Sequence, residues 1–211
     1  MIRHVLFDLD NTLYSSANRM KDKMVARMAR FVGDFLGVSP EEARKKMRAS
    51  KEQFGTTLEW LQAEHGYDDP QGFFAAVHPE EELADLQPDP GLRGFLLSLG
   101  LPMTVLTNAP GIHAQRVLDF FNIADIFLNV FDVEKNNLRG KPNPSAYLNA
   151  VEPSGFSVAE TLFADDSPEY LRGFQDLGGR TVLVSDKFTE PPPGLGCKII
   201  RSIYELPGIL N

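Results

Sequence analysis

The sequence has a single cysteine and no long apolar segment. Cys197 is the one cysteine among 211 residues, which excludes an internal disulfide framework and a zinc site built on cysteines. No apolar run approaches the roughly 20 residues that a membrane-spanning helix needs. The opening residues MIRHVLFDLD place acids directly after a short apolar run, unlike a secretory signal peptide. These features predict a cytoplasmic protein with no membrane partner.

Basic residues are also in short supply. The chain has 21 lysine and arginine residues against 29 aspartate and glutamate residues, a formal net charge of −8. Because nucleic-acid binding needs a basic surface that contacts phosphates, we expect no nucleic-acid partner. A small anionic substrate stays compatible with this charge, since the potential inside a pocket can oppose that of the whole protein. Hydrophobic residues make up 43% of the chain, which is enough for a packed core.

Short β-rich runs alternate with helical patterns along most of the chain. Most of the runs are nearly continuous in apolar residues, as is typical of parallel strands covered on both faces. The predicted strands are 2–7, 103–106, 126–130, 161–164, 181–184 and 198–200. Pro144 and Pro168 each open a helical pattern, which suits the first turn of a helix. The alternation predicts an α/β fold with a doubly wound, Rossmann-like parallel sheet.

Residues 15–87 interrupt this alternation. The stretch 20–36 carries apolar residues at helical spacing, and Ser39-Pro40 followed by two glutamates has the pattern of a helix start. Further short helical patterns follow, without a strand pattern. We therefore predict two domains, a core made of 1–14 and 88–211 and an inserted helical domain made of 15–87.

Two acidic pairs follow predicted strands. Asp8 and Asp10 come after the first strand and point to the same side because side chains alternate along a strand. Asp165 and Asp166 come after the fourth. Either pair alone is also compatible with an ordinary turn or a helix N-cap. Together, at the carboxyl edge of one parallel sheet, carboxylates would repel one another without a cation. Hard oxygen ligands without a nearby histidine favour Mg²⁺ over zinc.

Two further segments could handle a phosphate. Thr107-Asn108 ends the second strand ahead of a helix, where a hydroxyl and backbone N–H groups can bind phosphate oxygens. Lys141, between Gly140 and Pro142, would supply positive charge beside the carboxylates. Taken singly, Thr107 is also a common cap and Lys141 a common solvated loop residue.

The four segments together resemble the haloacid dehalogenase-like superfamily of hydrolases. The matching stretches are FDLDNT at 7–12, VLTNA at 105–109, GKPNP at 140–144 and FADDS at 163–167. They occur in the order and near the spacing of that superfamily, and four such motifs in order are hard to obtain by chance. The resemblance implies the superfamily's Rossmann-like core, and it implies that the insertion 15–87 is a helical cap of the C1 type.

The resemblance also implies a mechanism. Asp8 would attack phosphorus and form an aspartyl-phosphate. Asp10 would protonate the leaving alcohol and then deprotonate the hydrolytic water. Thr107, the backbone of Asn108 and Lys141 would bind the phosphoryl oxygens, and Lys141 would also steady Asp8.

By the same resemblance, Mg²⁺ would be the cofactor. Its ligands would be Asp8, the backbone carbonyl of Asp10, and Asp166. Asp165 would lie close to the ion or would contact its ligands without binding the ion itself. The acid at Asp10 favours phosphate esters over halides, because a departing halide needs no proton. Phosphomutases keep this acid too, so a sugar-phosphate mutase or a phosphatase for another small phosphate ester stays open.

Within the superfamily, the sequence is similar to pyrimidine 5′-nucleotidases. The extended start FDLDNTLYS and the segment QFGTTL at 53–58 carry this similarity, with Phe54 where tyrosine is expected. The implied substrate is a nucleoside monophosphate such as UMP or CMP.

Two readings from other classes are open. A non-catalytic phosphate-binding module would be expected to lose Asp8 or Lys141, and both are present. A receiver-type signalling domain also combines an aspartate cluster, a threonine and a lysine, but such domains are usually shorter and lack a helical insertion after the first strand. The histidines at 4, 65, 78 and 113 lack metal-ligand spacing, and the sequence assigns them no role.

Overall fold

The computed structural model describes residues 1–15, 19–51 and 53–210. The chain divides into two compact units. The first, here called the core unit, comprises Met1–Ser16 and Pro88–Asn211; the second, the helical unit, comprises Ala17–Gln87. Residues 16–18, near the start of the predicted insertion, lie outside the described residues.

The elements of both units follow in chain order. The strands are β1 (His4–Phe7), β2 (Met103–Leu106), β3 (Asn129–Phe131), β4 (Thr161–Asp165), β5 (Arg180–Val184) and β6 (Lys198–Ile200). The α-helices are α1 (Met20–Leu36), α2 (Pro40–Ser50), α3 (Thr57–His65), α4 (Pro70–Val77), α5 (Leu92–Ser98), α6 (Gly111–Phe120), α7 (Pro144–Val151), α8 (Pro168–Gln175) and α9 (Pro207–Leu210). Short 3₁₀ turns lie between several of them.

The core unit is built on one parallel sheet. Its strands run in the order β3-β2-β1-β4-β5-β6, and each neighbouring pair is parallel. The predicted α/β fold with a doubly wound parallel sheet is confirmed. All four β1 residues are buried, because helices cover both faces of such a sheet. On one face, α7 packs against β2 and β3 while α8 packs against β4 and β5.

The third strand differs from its prediction. The pattern predicts a strand at 126–130, whereas β3 begins at Asn129 and ends at Phe131. Ala124–Ile126 forms a 3₁₀ turn instead. Ile126 and Phe127 belong to the apolar run, but they precede the residues that pair with β2. The apolar run therefore indicates a strand that begins too early.

The helical unit packs α1 against α2 and α4. Phe31 of α1 makes edge contacts with Tyr67 and Phe73, at ring-centroid distances of 5.5 and 5.2 Å. Gly37 follows the last residue of α1 and has the left-handed conformation, with φ of 67°. Glycine adopts this conformation without a steric cost. The Ser39 hydroxyl then accepts the backbone N–H of Glu42 at 3.2 Å, so the predicted N-cap of α2 is confirmed. Within the described ranges, every helix is too short or too polar to cross a bilayer.

The strand order fixes where the site forms. After β1, the chain moves to β2 and β3 on one side, and it then returns to β4 on the other side of β1. The carboxyl edge of a parallel sheet at such a reversal is where ligands bind in α/β proteins. The residues that follow β1, β2 and β4 therefore meet at one edge.

Candidate active site

Asp8 lies at the centre of this edge, directly after β1. Its backbone N–H donates to the Ala164 carbonyl at 2.9 Å and so extends the β1–β4 ladder by one residue. The Thr12 hydroxyl donates to Asp8 Oδ2 at 2.9 Å. The Asp8 side chain is 9% exposed. The strand and the Thr12 hydroxyl thus hold one oxygen of a nearly buried carboxylate in a fixed direction.

Lys141 contacts the other oxygen of Asp8. Its Nζ atom donates to Asp8 Oδ1 at 2.6 Å, to Asp165 Oδ2 at 2.7 Å and to the Leu106 carbonyl at 3.1 Å. The side chain is fully buried. Three ammonium hydrogens therefore meet three acceptors that come from the ends of β1, β4 and β2. The expected contact between Lys141 and Asp8 is present in this geometry.

Asn108 fixes the backbone of Lys141. Its side-chain Nδ2 donates to the Lys141 carbonyl at 2.9 Å, and the Lys141 N–H donates to Asn108 Oδ1 at 2.7 Å. The sequence predicts only a backbone role for Asn108 at a phosphate. The paired amide contact shows a second role, because it ties the segment before α7 to the end of β2.

The second acidic pair divides into two environments. Asp165 is fully buried, and while its Oδ2 accepts Lys141, its Oδ1 accepts the backbone N–H of Ser167 at 2.7 Å. Asp166 is half-buried. Carboxylate oxygens of Asp8, Asp165 and Asp166 lie within 4.8 Å of one another. An all-oxygen group of this kind could hold a hard divalent cation.

The electrostatics of the group also favour a cation. Burial raises the pKa of Asp8 well above its usual range, and Lys141 opposes this shift only in part. Burial likewise raises the pKa of Asp165 to about 6 against the effect of Lys141. Burial alone would lower the pKa of Lys141, but Asp165 and Asp8 together raise it. One ammonium lies among these carboxylates, and a bound cation would favour the ionised form of Asp8.

Asp10 lies apart from the Lys141 contacts and has its own donors. The Tyr14 hydroxyl donates to Asp10 Oδ1, and His113 Nε2 lies 2.8 Å from the same oxygen. The sequence assigns His113 no role, whereas the structure places it in contact with Asp10. A histidine in the first turn of the helix that follows Thr107-Asn108 is the signal that could have indicated it.

Thr107 closes the end of β2, the strand next to β1. Its backbone N–H donates to the Phe131 carbonyl at 2.9 Å, and its hydroxyl oxygen accepts the Ala109 N–H at 3.0 Å. The side chain is buried at the start of the turn into α6. The structure therefore brings Thr107 to the same sheet edge as Asp8, at a strand-to-helix junction of the kind that binds phosphate.

Comparison with known proteins identifies similar sequences over most of the chain. The sequence profile described as haloacid dehalogenase-like hydrolase matches residues 2–178. Phosphate metabolism protein 8 of Saccharomyces cerevisiae is 25% identical over 230 residues, which cover 97% of this chain and 71% of that protein. A phosphoglycolate phosphatase of Rhodospirillum rubrum is 27% identical over 211 residues, covering 93% of this chain and 85% of the phosphatase.

Solved structures share the fold. A phosphatase of Thermococcus onnurineus superposes with a TM-score of 0.67 at 22% identity, covering 100% of this chain and 98% of that one. A magnesium-bound hydrolase of Bacillus subtilis gives the same TM-score at 19% identity, covering 100% and 99% of the two chains. At these identities the similarity concerns the fold alone.

Proposed function

Because the chain belongs to the haloacid dehalogenase-like hydrolase family, we propose that it hydrolyses phosphate monoesters with Asp8 as the nucleophile. The observation that carries this proposal is the setting of Asp8. Its carboxylate is nearly buried at the sheet edge, with Lys141 at 2.6 Å and a second aspartate two residues further along. The phosphoglycolate phosphatase of R. rubrum, similar over 93% of this chain, supports the same class of reaction.

The reaction proceeds in two steps. In the first, an Asp8 oxygen forms a bond to phosphorus, the bond to the leaving oxygen breaks, and Asp10 gives its proton to that oxygen. In the second, Asp10 takes a proton from water, the water oxygen bonds to phosphorus, and the bond between Asp8 and phosphorus breaks. Inorganic phosphate leaves, and both carboxyl groups return to their starting states. In this proposal Thr107 and the Asn108 N–H bind the phosphoryl oxygens.

The cofactor in this proposal is Mg²⁺. Asp8, Asp166 and the Asp10 backbone carbonyl would hold the ion, whose bound charge offsets that of the phosphoryl oxygens. Both oxygens of Asp165 already accept hydrogen bonds, from Lys141 and from Ser167. We therefore assign Asp165 the task of holding Lys141 between the two carboxylates.

We extend the proposal to the substrate, a pyrimidine nucleoside 5′-monophosphate such as UMP or CMP. The start FDLDNTLYS and the segment QFGTTL at 53–58 support this choice through their similarity to pyrimidine nucleotidases. A second candidate is a small phosphate ester such as phosphoglycolate. The similarity to the phosphoglycolate phosphatase of R. rubrum supports this candidate.

Phosphate release from a set of substrates tests both the proposed reaction and the proposed substrate. With Mg²⁺ present, kcat/KM is measured for UMP, CMP, AMP, GMP, phosphoglycolate and p-nitrophenyl phosphate. We expect UMP and CMP to exceed AMP and GMP by about tenfold or more, equivalent to about 1.4 kcal/mol in the barrier. A preference for phosphoglycolate would select the second candidate.

Asp8→Asn is the control variant for the reaction itself. We expect it to lower turnover of every substrate by at least about 10³-fold, because the covalent route is lost. Wild-type turnover by Asp8→Asn would refute the phosphatase mechanism, and with it both substrate assignments.

A further inference from the structure

Asp10 carries two hydrogen-bond donors on one carboxylate oxygen. The Tyr14 hydroxyl and His113 Nε2 both contact Oδ1. Tyr14 stands four residues after Asp10, whereas His113 belongs to α6 and is separated from Asp10 by 103 positions. The contact therefore joins the segment after β1 to the helix after β2.

Both donors are anchored to α6. The His113 side chain is 1% exposed and lies in the first turn of that helix. The Tyr14 ring stacks on Phe121, directly after the last turn, with a centroid distance of 5.6 Å and an interplanar angle of 23°. One rigid helix thus supports both groups that contact Asp10 Oδ1, one at each end.

We propose that Tyr14 and His113 are positioning residues that orient the Asp10 carboxyl group for proton transfer. This inference rests on the proposed function, in which Asp10 is first the acid and then the base. Two donors on Oδ1 favour the transferable proton on Oδ2, because a hydrogen on Oδ1 would occupy a position from which that oxygen accepts one of them. The proposal requires the His113 tautomer that carries a hydrogen on Nε2 and donates it to Oδ1, 2.8 Å away.

The proton path follows from that arrangement. In the first step the hydrogen on Oδ2 passes to the leaving oxygen as its bond to phosphorus breaks. In the second step a hydrogen of water passes to Oδ2 as the water oxygen bonds to phosphorus. A side chain that rotated freely about its χ angles would present either oxygen, or neither, to the reacting group. General acid–base catalysis contributes about 10²–10⁴ in rate, and it requires the acid to lie within hydrogen-bond reach of the reacting oxygen.

Leaving groups of different basicity separate a positioning role from a structural one. An alkoxide such as the nucleoside oxygen of UMP needs a proton to leave, whereas p-nitrophenolate leaves without one. For Tyr14→Phe we expect kcat/KM to fall by about 10-fold or more with UMP and by less than about 3-fold with p-nitrophenyl phosphate. This variant keeps the ring that stacks on Phe121 and removes only the hydroxyl group.

The second step gives an independent readout. With p-nitrophenyl phosphate, a slower hydrolysis of the aspartyl-phosphate lowers kcat and KM together while kcat/KM stays nearly constant. It also produces a rapid burst of p-nitrophenolate, approaching one equivalent per enzyme. A loss of folded protein would reduce the burst and the steady rate in proportion, so the burst distinguishes the two causes.

Three comparison variants complete the experiment. His113→Leu removes the second donor and should show the same selectivity, and His113→Gln, which keeps an N–H, should recover at least part of the UMP activity. Tyr204→Phe is the matched control, because its hydroxyl also contacts a carboxylate, Asp89 Oδ2 at 2.9 Å, but at an exposed position. It should leave all rates within about 2-fold of wild type.

The outcomes separate this inference from the proposed function. If wild type is active and Asp10→Asn is leaving-group selective, but Tyr14→Phe and His113→Leu are both unchanged or lose all substrates equally, the positioning role is wrong and the proposed function stands. If wild type releases no phosphate from any substrate, the proposed function fails first. If His113→Leu does not fold, Tyr14→Phe and His113→Gln decide.

Discussion

Replacing Lys141 by methionine removes a charge from the site while keeping most of the volume. The ammonium group contacts Asp8 at 2.6 Å and Asp165 at 2.7 Å, and all three side chains are buried. Aromatic rings of Phe163 and Tyr170 lie 5.3 and 5.1 Å from Nζ. A methionine side chain can pack against those rings. The main effect of Lys141→Met is therefore the loss of the positive charge that contacts both Asp8 and Asp165.

We expect Lys141→Met to lower the free energy of unfolding by about 3–5 kcal/mol at pH 7.5. This range is typical when one partner of a buried ion pair is removed and the other stays charged. The deficit should shrink as the pH falls toward 5. Without Lys141 the folded pKa values of Asp8 and Asp165 rise further above their unfolded values, so the folded variant binds more protons than the unfolded chain and its stability decreases as the pH rises.

A double-mutant cycle with Asp165→Asn isolates the pair. Removing Lys141 should cost less when Asp165 is already neutral, and we expect the two changes to differ from additivity by at least about 1.5 kcal/mol. Urea unfolding in EDTA measures this without a contribution from bound metal. The control is Lys45→Met, a lysine 73% exposed and 3.1 Å from Glu41, which should change stability by less than about 0.5 kcal/mol. Additive effects, or a Lys141 variant as mild as the control, would refute the reasoning.

Two other predictions concern the cation and acid stability. EDTA should abolish phosphate release and Mg²⁺ should restore it, whereas Ca²⁺ should restore it poorly because its coordination is larger and looser; undiminished activity in a metal-free preparation would contradict the oxygen-ligand assignment. Burial lowers the pKa of His4 from 6.5 to about 4, so the folded state binds fewer protons and stability falls as the pH drops from about 6.5 toward 4, by up to about 3 kcal/mol. Urea midpoints of wild type and His4→Gln between pH 7.5 and 5 measure this, and parallel pH curves for the two proteins would contradict it.

Local patterns were sufficient to predict most of the elements and the fold class. Strands buried on both faces leave continuous apolar runs, and prolines and glycines mark where helices begin and end. The 20–36 pattern coincides with α1, and Pro144 begins α7 as predicted. The strand predicted at 126–130 begins too early, because an apolar run does not distinguish the residues of a 3₁₀ turn from those of the strand that follows it.

Strand order and long-range contacts are not encoded in such patterns. Pairing of His4 with Thr161 joins residues far apart in the chain, and no local signal specifies that β1 lies between β2 and β4. The contact between His113 and Asp10 depends on that order, since it needs α6 beside the end of β1. For the same reason the sequence indicated Asn108 as a residue near phosphate but not the amide contact that holds the Lys141 backbone.

The four aspartates of the site show how the fold differentiates identical side chains. Asp8 and Asp165 share the ammonium group of Lys141, and Asp165 also accepts a backbone N–H. Asp10 instead accepts a phenol hydroxyl on Oδ1, and His113 Nε2 contacts the same oxygen. Burial disfavours the anionic form of a carboxylate, and a neighbouring positive charge such as the ammonium group favours it. An anionic carboxylate suits a nucleophile or a metal ligand. A carboxylate that accepts hydrogen bonds on one oxygen can exchange a proton on the other, which suits an acid and base. The sequence supplies four carboxyl groups, and the donors brought from α6, from the segment before α7 and from the segments after β1 and β4 determine which chemistry Asp8, Asp10 and Asp165 can perform.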